Sequence, residues 1–218
     1  MLSLRPEEKY QSTWERVVGR IKDVVTIAAQ QNAALSQLAD MLLLTYALRN
    51  ADCHTKNIAL LYSSRESIAL APVYDMLTST VYDDYAKNPP AMPAEGRSTW
   101  MPGKALERFL QTRCGVMPAQ TRGRVERICE AMVQVTQKVV EAAGRHPGFH
   151  ETGKRMLQAW NAGMNSLRLQ KIWSLPSLDR AIEQARFSDT RPVVPTLREK
   201  IGAKQRFDAK ERQNPACS

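Results

Sequence analysis

The residue types best suited to chemistry lie in the polar stretch RNADCHTKN, Arg49–Asn57, which separates two hydrophobic segments of the chain. Asp52 and Asn57 in this stretch are separated by four residues. A carboxylate can receive the proton of a hydroxyl group, and an amide oxygen is a suitable ligand for Mg²⁺. The stretch therefore has the side chains for phosphoryl transfer, although a surface loop can also be polar for solubility alone.

The D-x-x-x-x-N spacing of Asp52 and Asn57 is that of the protein-kinase catalytic loop. There the Asp receives or orients the substrate hydroxyl, and the Asn holds Mg²⁺. Lys56 is adjacent to the Asn, where a cation can neutralise phosphate charge, and we expect His54 to shape the loop. The spacing alone is common in proteins, so the plain interpretation of Asp52 as a loop residue after a helix stays open.

A magnesium site of this kind needs oxygen ligands from more than one segment, and Asp75 lies where a second ligand is expected. The apolar runs Ile58–Tyr62 and Ser67–Ala71 flank a polar turn and predict a β-hairpin. Because antiparallel pairing brings the two outer ends of a hairpin together, Asp75 is expected beside Asn57. The alternative is that Asp75 only caps a following turn.

A buried helix is predicted to lead into the polar stretch. It runs from Ala33 to about Arg49, is apolar nearly all round, and has Asn32 as a suitable N-cap. A helix over residues 5–30 precedes it, and a loop spans Thr78–Met101. The later helices are predicted from Pro102 to Gly115 and over Pro118–Ala143, Gly148–Leu169 and Pro176–Phe187. The sequence thus predicts a mainly α fold, a helical bundle with one short β-hairpin.

Residues 1–187 are predicted to form one domain, followed by a basic, Pro-containing, flexible tail over residues 188–218. The net charge of +9 can indicate a nucleic-acid partner, but the basic residues are scattered along the chain. No apolar segment is long enough to span a membrane, and the N-terminus lacks the apolar core of a signal peptide, so we expect a cytoplasmic protein. The four cysteines form no CxxC pair and are predicted to be free thiols.

Two segments of the sequence resemble a known family. Residues 50–58, NADCHTKNI, are similar to the N-x-D-x-H-x-K-N signature of HipA-like serine/threonine kinases, the toxins of HipBA-type modules. Residues 70–77, LAPVYDML, resemble the L-x-P-x-Y-D segment of that family, the counterpart of the DFG element. The segments Glu8–Tyr10, Asn88–Met92 and Trp100–Lys104 also resemble members of that family, and the likeness extends over roughly residues 5–185.

The resemblance implies a kinase C-terminal lobe in which Asp52 is the catalytic aspartate and Asn57 and Asp75 are Mg²⁺ ligands. His54 and Lys56 belong to the same catalytic loop. The implied cofactors are Mg²⁺ and ATP, and the implied reaction is phosphoryl transfer to a protein hydroxyl. Known members act on aminoacyl-tRNA synthetases and are restrained by a HipB-like DNA-binding antitoxin, so both kinds of protein are expected partners.

The segment before the polar stretch departs from the family pattern. Kinases of this family have an N-terminal lobe with a phosphate-gripping loop and an ATP-contacting lysine, whereas the residues before Asn50 predict helices and contain no Gly-rich loop. We therefore expect ATP to bind only together with an N-terminal lobe on a separate chain, as in a split kinase.

Three functions are open from the sequence. The first is the catalytic lobe of a split HipA-like kinase. The second is a non-catalytic, truncated HipA-like module that engages a toxin or antitoxin partner, with self-association as one way of covering its exposed apolar surface. The third is direct nucleic-acid binding, which ranks last because scattered charge is a weaker signal than two paired motifs.

Overall fold

The computed structural model describes residues 10–64 and 66–168, together with Leu178, Asp179 and Ile182. In this part of the chain, helices pack into a bundle with one two-stranded antiparallel sheet. The elements are α1 (Trp14–Val24), α2 (Ala28–Leu48), β1 (Leu60–Tyr62), β2 (Ile68–Leu70), α3 (Gly103–Cys114), α4 (Pro118–Arg145) and α5 (His150–Ser166). The predicted mainly α fold with one short hairpin, resembling a kinase C-terminal lobe, is confirmed.

Helix α2 is the central element and packs against α1, α3, α4, α5 and β2. Its apolar side chains are buried on nearly all sides, and each large one contributes about 1.5–3 kcal/mol when fully removed from water. The largest of them are Leu35, Leu38, Met41, Leu42, Leu43 and Tyr46. The predicted N-terminus of this helix is wrong, because α2 already begins at Ala28 and Asn32 is an exposed residue within it rather than its cap.

The single helix predicted over residues 5–30 is divided in its described part, since α1 ends at Val24. The Gln31 side chain at the start of α2 explains the division. Its Nε2 donates to the carbonyl oxygens of Lys22 at 3.0 Å and Val25 at 2.7 Å. Carbonyls at a helix end have no partner within the helix, so this amide stabilises the end of α1. The apolar periodicity continues through both helices and therefore gives no sign of the break.

The predicted hairpin is confirmed, with Leu60 opposite Leu70 and Tyr62 opposite Ile68. Strand β2 alternates, as a half-buried strand should, and buries Ile68 and Leu70 on one face. Strand β2 packs against α2 and β1 is the outer strand, whose Leu61 and Tyr62 side chains are 52% and 60% exposed. The hairpin is therefore anchored to the bundle through β2.

The helices predicted after the loop are confirmed with small shifts. Helix α3 ends at Gly115, whose φ of 70° is the left-handed value that glycine adopts without strain. Helix α5 begins at His150, after the short 3₁₀ turn Pro147–Phe149. The predicted helix Pro176–Phe187 lies almost entirely outside the described residues, and the predicted tail 188–218 lies wholly outside them. None of the helices in the described part is both long and apolar enough to cross a membrane.

Gly163 lets α5 approach the C-terminal end of α2 backbone to backbone. A Cβ at this position would lie 2.7 Å from the Ala47 carbonyl carbon and 2.8 Å from the Tyr46 oxygen. Gly163→Ala is therefore expected to lower the free energy of unfolding by about 1–3 kcal/mol or more, the usual cost of overpacking, measured by urea unfolding. The matched control is Gly144→Ala, a helical glycine whose added Cβ meets nothing within 4 Å. Equal stability of the two variants would contradict the close approach.

Candidate active site

The polar stretch leaves α2 at Arg49, whose backbone is left-handed with a φ of 57°. A residue with a Cβ pays about 1–2 kcal/mol for this conformation, so other contacts must compensate. The Arg49 guanidinium lies 4.7 Å from the centroid of the Trp100 ring, and its Nη2 donates to the Ala162 oxygen at 3.1 Å. Burial lowers the pKa of this guanidinium. These contacts fix the direction in which the loop starts.

Asn50 is buried and connects the two segments that carry the predicted acidic residues. Its Oδ1 accepts from the Asp52 backbone N–H at 3.0 Å, and its Nδ2 makes a long hydrogen bond, 3.4 Å, to the Asp75 carbonyl oxygen. The neighbouring Ala51 N–H donates to Ser79 Oγ at 2.7 Å. Neither Asn50 nor Ser79 is among the predicted site residues. The first position of the N-x-D-x-H-x-K-N signature was the available signal for Asn50.

The structure places Asn57 and Asp75 in direct contact, where the hairpin geometry leads one to expect them. Asn57 Nδ2 donates to Asp75 Oδ2 at 2.6 Å. Asn57 Oδ1 accepts from the His54 backbone N–H at 2.8 Å, which orients the amide within the loop. Asn57 is 4% exposed, whereas Asp75 is exposed. The Asn57 amide, fixed by the loop, and the exposed Asp75 carboxylate are therefore in contact. Their role as metal ligands stays a prediction.

Asp75 itself has a left-handed backbone, with a φ of 55°. Asp is one of the few residues with a side chain that tolerate this conformation, and such residues cluster at functional sites. The preceding Tyr74 Oη donates to the Lys56 carbonyl oxygen at 2.5 Å and ties the segment to the loop. The Lys56 side chain is exposed, and its contact with phosphate stays a prediction.

The carboxylate of Asp52 accepts a hydrogen bond from this chain's own Tyr10, with 2.6 Å between Tyr10 Oη and Asp52 Oδ1. The Tyr10 ring also meets the His54 ring edge on, with 5.3 Å between their centroids. His54 is 6% exposed, and its role in shaping the loop stays a prediction. Tyr10 belongs to a segment that resembles the family but is not among the predicted site residues, because it lies 42 residues before Asp52 and no local pattern links the two.

Cys53 lies between Asp52 and His54, yet its environment makes it a poor nucleophile. The pKa of its thiol is raised to about 11, chiefly by burial and also by the nearby Asp52 and Asp75 charges, against the lowering effect of a hydrogen bond with Thr45. The thiol therefore stays protonated at neutral pH, and only a thiolate would react readily. Cys53, Cys114 and Cys129 are all free and buried, which confirms the free-thiol prediction for the described cysteines.

The donor set fits a small hard cation such as Mg²⁺. Asn57 has an amide oxygen and Asp75 a carboxylate, on different segments of the chain; the Asn57 Nδ2 faces Asp75, while its Oδ1 faces the His54 N–H. The Asn57 Oδ1 uses one acceptor position for the His54 N–H and retains a second. Mg²⁺ in proteins is commonly held by one or two such side chains, with waters and substrate phosphates completing the shell. The exposure of Asp75 leaves room for those further ligands.

The helical bundle, its hairpin and the polar loop between α2 and β1 define a kinase-like C-terminal lobe. The sequence matches the family described as "HipA-like C-terminal domain" over residues 1–139, so the chain belongs to that family and the predicted resemblance is confirmed. All five predicted site residues lie within the matched segment.

The chain is also similar to a curated protein of Sinorhizobium fredii, named "Putative kinase Y4dM", with 26% identity over 162 residues. The aligned part is 74% of this chain and 33% of that relative. The chain thus spans about a third of the length of the relative it matches.

Proposed function

We propose that this chain is the C-terminal catalytic lobe of a HipA-like serine/threonine protein kinase, which transfers the γ-phosphoryl group of ATP to a protein hydroxyl. The observation that carries the proposal is the 2.6 Å contact between Asn57 and Asp75, in the same site as the loop carboxylate of Asp52. Membership of the HipA-like C-terminal domain family and similarity to a protein named as a kinase support it.

In the proposed mechanism, Asp52 orients the acceptor hydroxyl and receives its proton as the hydroxyl oxygen attacks the γ-phosphorus, while the bond from that phosphorus to the β,γ-bridging oxygen breaks and ADP leaves. Asn57 and Asp75 are the residues that would hold Mg²⁺, which when bound neutralises phosphate charge. Lys56 adds a positive charge at the exposed side of the same loop. Phosphoryl transfer depends mainly on positioning and charge neutralisation, and these side chains supply both on one side of the reacting group.

Transfer also requires a lobe that binds the nucleotide. Among the described residues the only sheet is the β1–β2 hairpin, which follows the catalytic loop and pairs no further strand. We propose that ATP binds between this lobe and a nucleotide-binding lobe, contributed either by the remainder of a longer protein or by a separate chain.

The proposal is tested by a transfer assay in which both lobes are present. The chain is purified with and without the products of the adjacent genes and incubated with Mg²⁺ and ATP labelled in the γ position. The expected result is label on serine or threonine, in a reaction that depends on this chain. Absence of label in every combination would overturn the proposal.

The proposed partners follow from family membership alone. HipA-like kinases engage a HipB-like DNA-binding antitoxin and act on aminoacyl-tRNA synthetases, so we propose an antitoxin of this kind as partner and a synthetase as candidate substrate. Copurification from cells that produce the chain and its genomic neighbours tests the first. Direct binding to nucleic acid is not part of the proposal.

A non-catalytic binding module is the second candidate, and a specific surface favours it. Leu61, Tyr62 and Tyr74 are 52%, 60% and 42% exposed on the hairpin and the segment that follows it. Exposed apolar side chains concentrated on one hairpin and the segment after it are a feature of surfaces that contact another protein. Sedimentation analysis would then show a dimer or a hetero-complex, and that complex would not transfer phosphate.

The bond between Tyr10 and Asp52 gives a direct prediction for the kinase. Tyr10→Phe keeps the ring contact with His54 and removes only the hydroxyl that occupies Asp52 Oδ1. A hydrogen bond of this kind is worth about 1 kcal/mol net, so freeing Asp52 for the acceptor is expected to raise the transfer rate about fivefold. Initial rates at saturating ATP measure the effect. A slower variant would mean that the hydroxyl positions Asp52 instead of competing for it.

A further inference from the structure

Two glutamines of α2 bond to the two ends of β2. Gln30 makes a pair of hydrogen bonds at the start of the strand, with Nε2 donating to the Glu66 oxygen at 2.8 Å and Oε1 accepting from the Ile68 N–H at 2.9 Å. Gln37 Nε2 donates to the Ala71 oxygen at 2.7 Å, directly after the strand. Both glutamine side chains are half-buried between the helix and the hairpin.

The Gln30 amide bonds to backbone groups at the edge of β2 in the way that the backbone of a third strand would. Ile68 stands opposite Tyr62 in the register with β1, and its N–H is bonded to Gln30 rather than to that partner. One donor and one acceptor on a single planar amide thus bond to the Glu66 carbonyl and the Ile68 N–H, at the start of the outer edge of β2.

The spacing of the two glutamines matches the strand. Seven helical residues rise about 10.5 Å, and the three steps from Ile68 to Ala71 in an extended chain cover about 10 Å. Gln30 and Gln37 therefore hold β2 at one register along α2. A slip of β2 by one residue, about 3.3 Å, would break the bonds at both ends together.

The same helix therefore determines where both predicted ligands lie. Its C-terminal end leads into the loop that carries Asn57, and the strand fixed along it leads, four residues after Ala71, to Asp75. We infer that Gln30 and Gln37 are positioning residues for Asp75, which set its distance from Asn57; this rests on the proposed function, in which the two side chains hold a divalent cation.

The test uses Mn²⁺ alone as the probe, on the full chain, with its dissociation constant measured by electron paramagnetic resonance. The change is the double variant Gln30→Ala/Gln37→Ala. Release of both ends of β2 is expected to weaken Mn²⁺ binding about tenfold, which corresponds to about 1.4 kcal/mol. Gln37→Glu is a second variant, because it keeps the shape of the side chain but lacks the N–H that reaches Ala71.

Gln31→Ala is the matched control. This glutamine lies on the same helix and is also half-buried, but its amide bonds to Lys22 and Val25 at the end of α1. It should lower stability to a similar degree and leave Mn²⁺ affinity within twofold. Hydrogen exchange of the Ile68 amide shows separately whether the strand edge is released, since Gln30 is its acceptor.

Two results would overturn the inference, and they differ from each other. If Ile68 exchanges faster in the double variant while Mn²⁺ affinity stays the same, the glutamines only stabilise the hairpin, and the proposed metal site stands. If wild type binds Mn²⁺ no more tightly than Asp75→Asn does, the assignment of the metal site is wrong. The inference then fails together with that part of the proposed function.

Discussion

Asp52→Asn is expected to lower the rate of phosphoryl transfer by about 10²–10⁴-fold, the usual contribution of a general base. The substitution keeps the size of the side chain and an oxygen that can accept from Tyr10, but it removes the group that can take a proton from the acceptor hydroxyl. Binding of Mn²⁺ should change little, because Asn57 and Asp75 are the predicted ligands. Rates measured in the reconstituted assay at saturating ATP give the effect on the chemical step.

Asp84→Asn is the control for this prediction. It makes the same chemical change at an exposed carboxylate in the 3₁₀ turn Asp83–Tyr85, outside the candidate site. Its rate should equal that of wild type. Transfer by Asp52→Asn at the rate of the control would show that the reaction does not use this carboxylate, and the assignment of the catalytic loop would be wrong.

Asp75→Asn is the second substitution with a large expected effect. Asn tolerates the left-handed backbone seen here, and its Oδ1 can still accept from Asn57, so the variant isolates the loss of one negative charge. A bound metal stabilises the charge of the transition state by several kcal/mol, and part of this is lost when its site loses a negative charge. We therefore expect transfer at millimolar Mg²⁺ to fall by about 10²–10³-fold. The rate is measured across a series of Mg²⁺ concentrations.

A shift of the Mg²⁺ dependence distinguishes a ligand from a residue that only supports the loop. With Asp75→Asn, half-maximal rate should require much more Mg²⁺, and part of the lost activity should return at high concentration. A reduced rate with an unchanged Mg²⁺ dependence would contradict the role of Asp75 as a ligand. It would leave open the role of Asp52, which the first substitution tests by itself.

The elements that carry the site could be predicted because their signals are local. Helix α2 is an apolar run that can only be a buried helix, and the hairpin is two short apolar runs around a polar turn. Their order along the chain was enough to expect Asp75 beside Asn57. The N-terminus of α2 was less predictable than its C-terminus, because it depends on contacts between Gln31 and the end of α1.

The missed residues act across long sequence separations. Tyr10 reaches Asp52 and Gln37 reaches Ala71 only after the chain has folded, and neither pair shares a helical or strand period. For Gln30 and Gln37 a signal did exist: two amides seven residues apart lie on one side of a helix, where the rest of the surface is apolar. Polar side chains in such a position need partners, and an adjoining strand edge supplies them.

Because Asp75 has a positive φ, only a few residue types can replace it in related lobes that have lost their activity. Alanine or valine there would be penalised in stability as well as in activity, whereas asparagine fits the backbone and loses only the charge, and glycine fits the backbone but loses the whole side chain. Degenerate descendants are therefore expected to carry Gly or Asn at this point in an otherwise preserved hairpin. A survey of related genes that found mainly β-branched residues would indicate that the bend itself has been rebuilt.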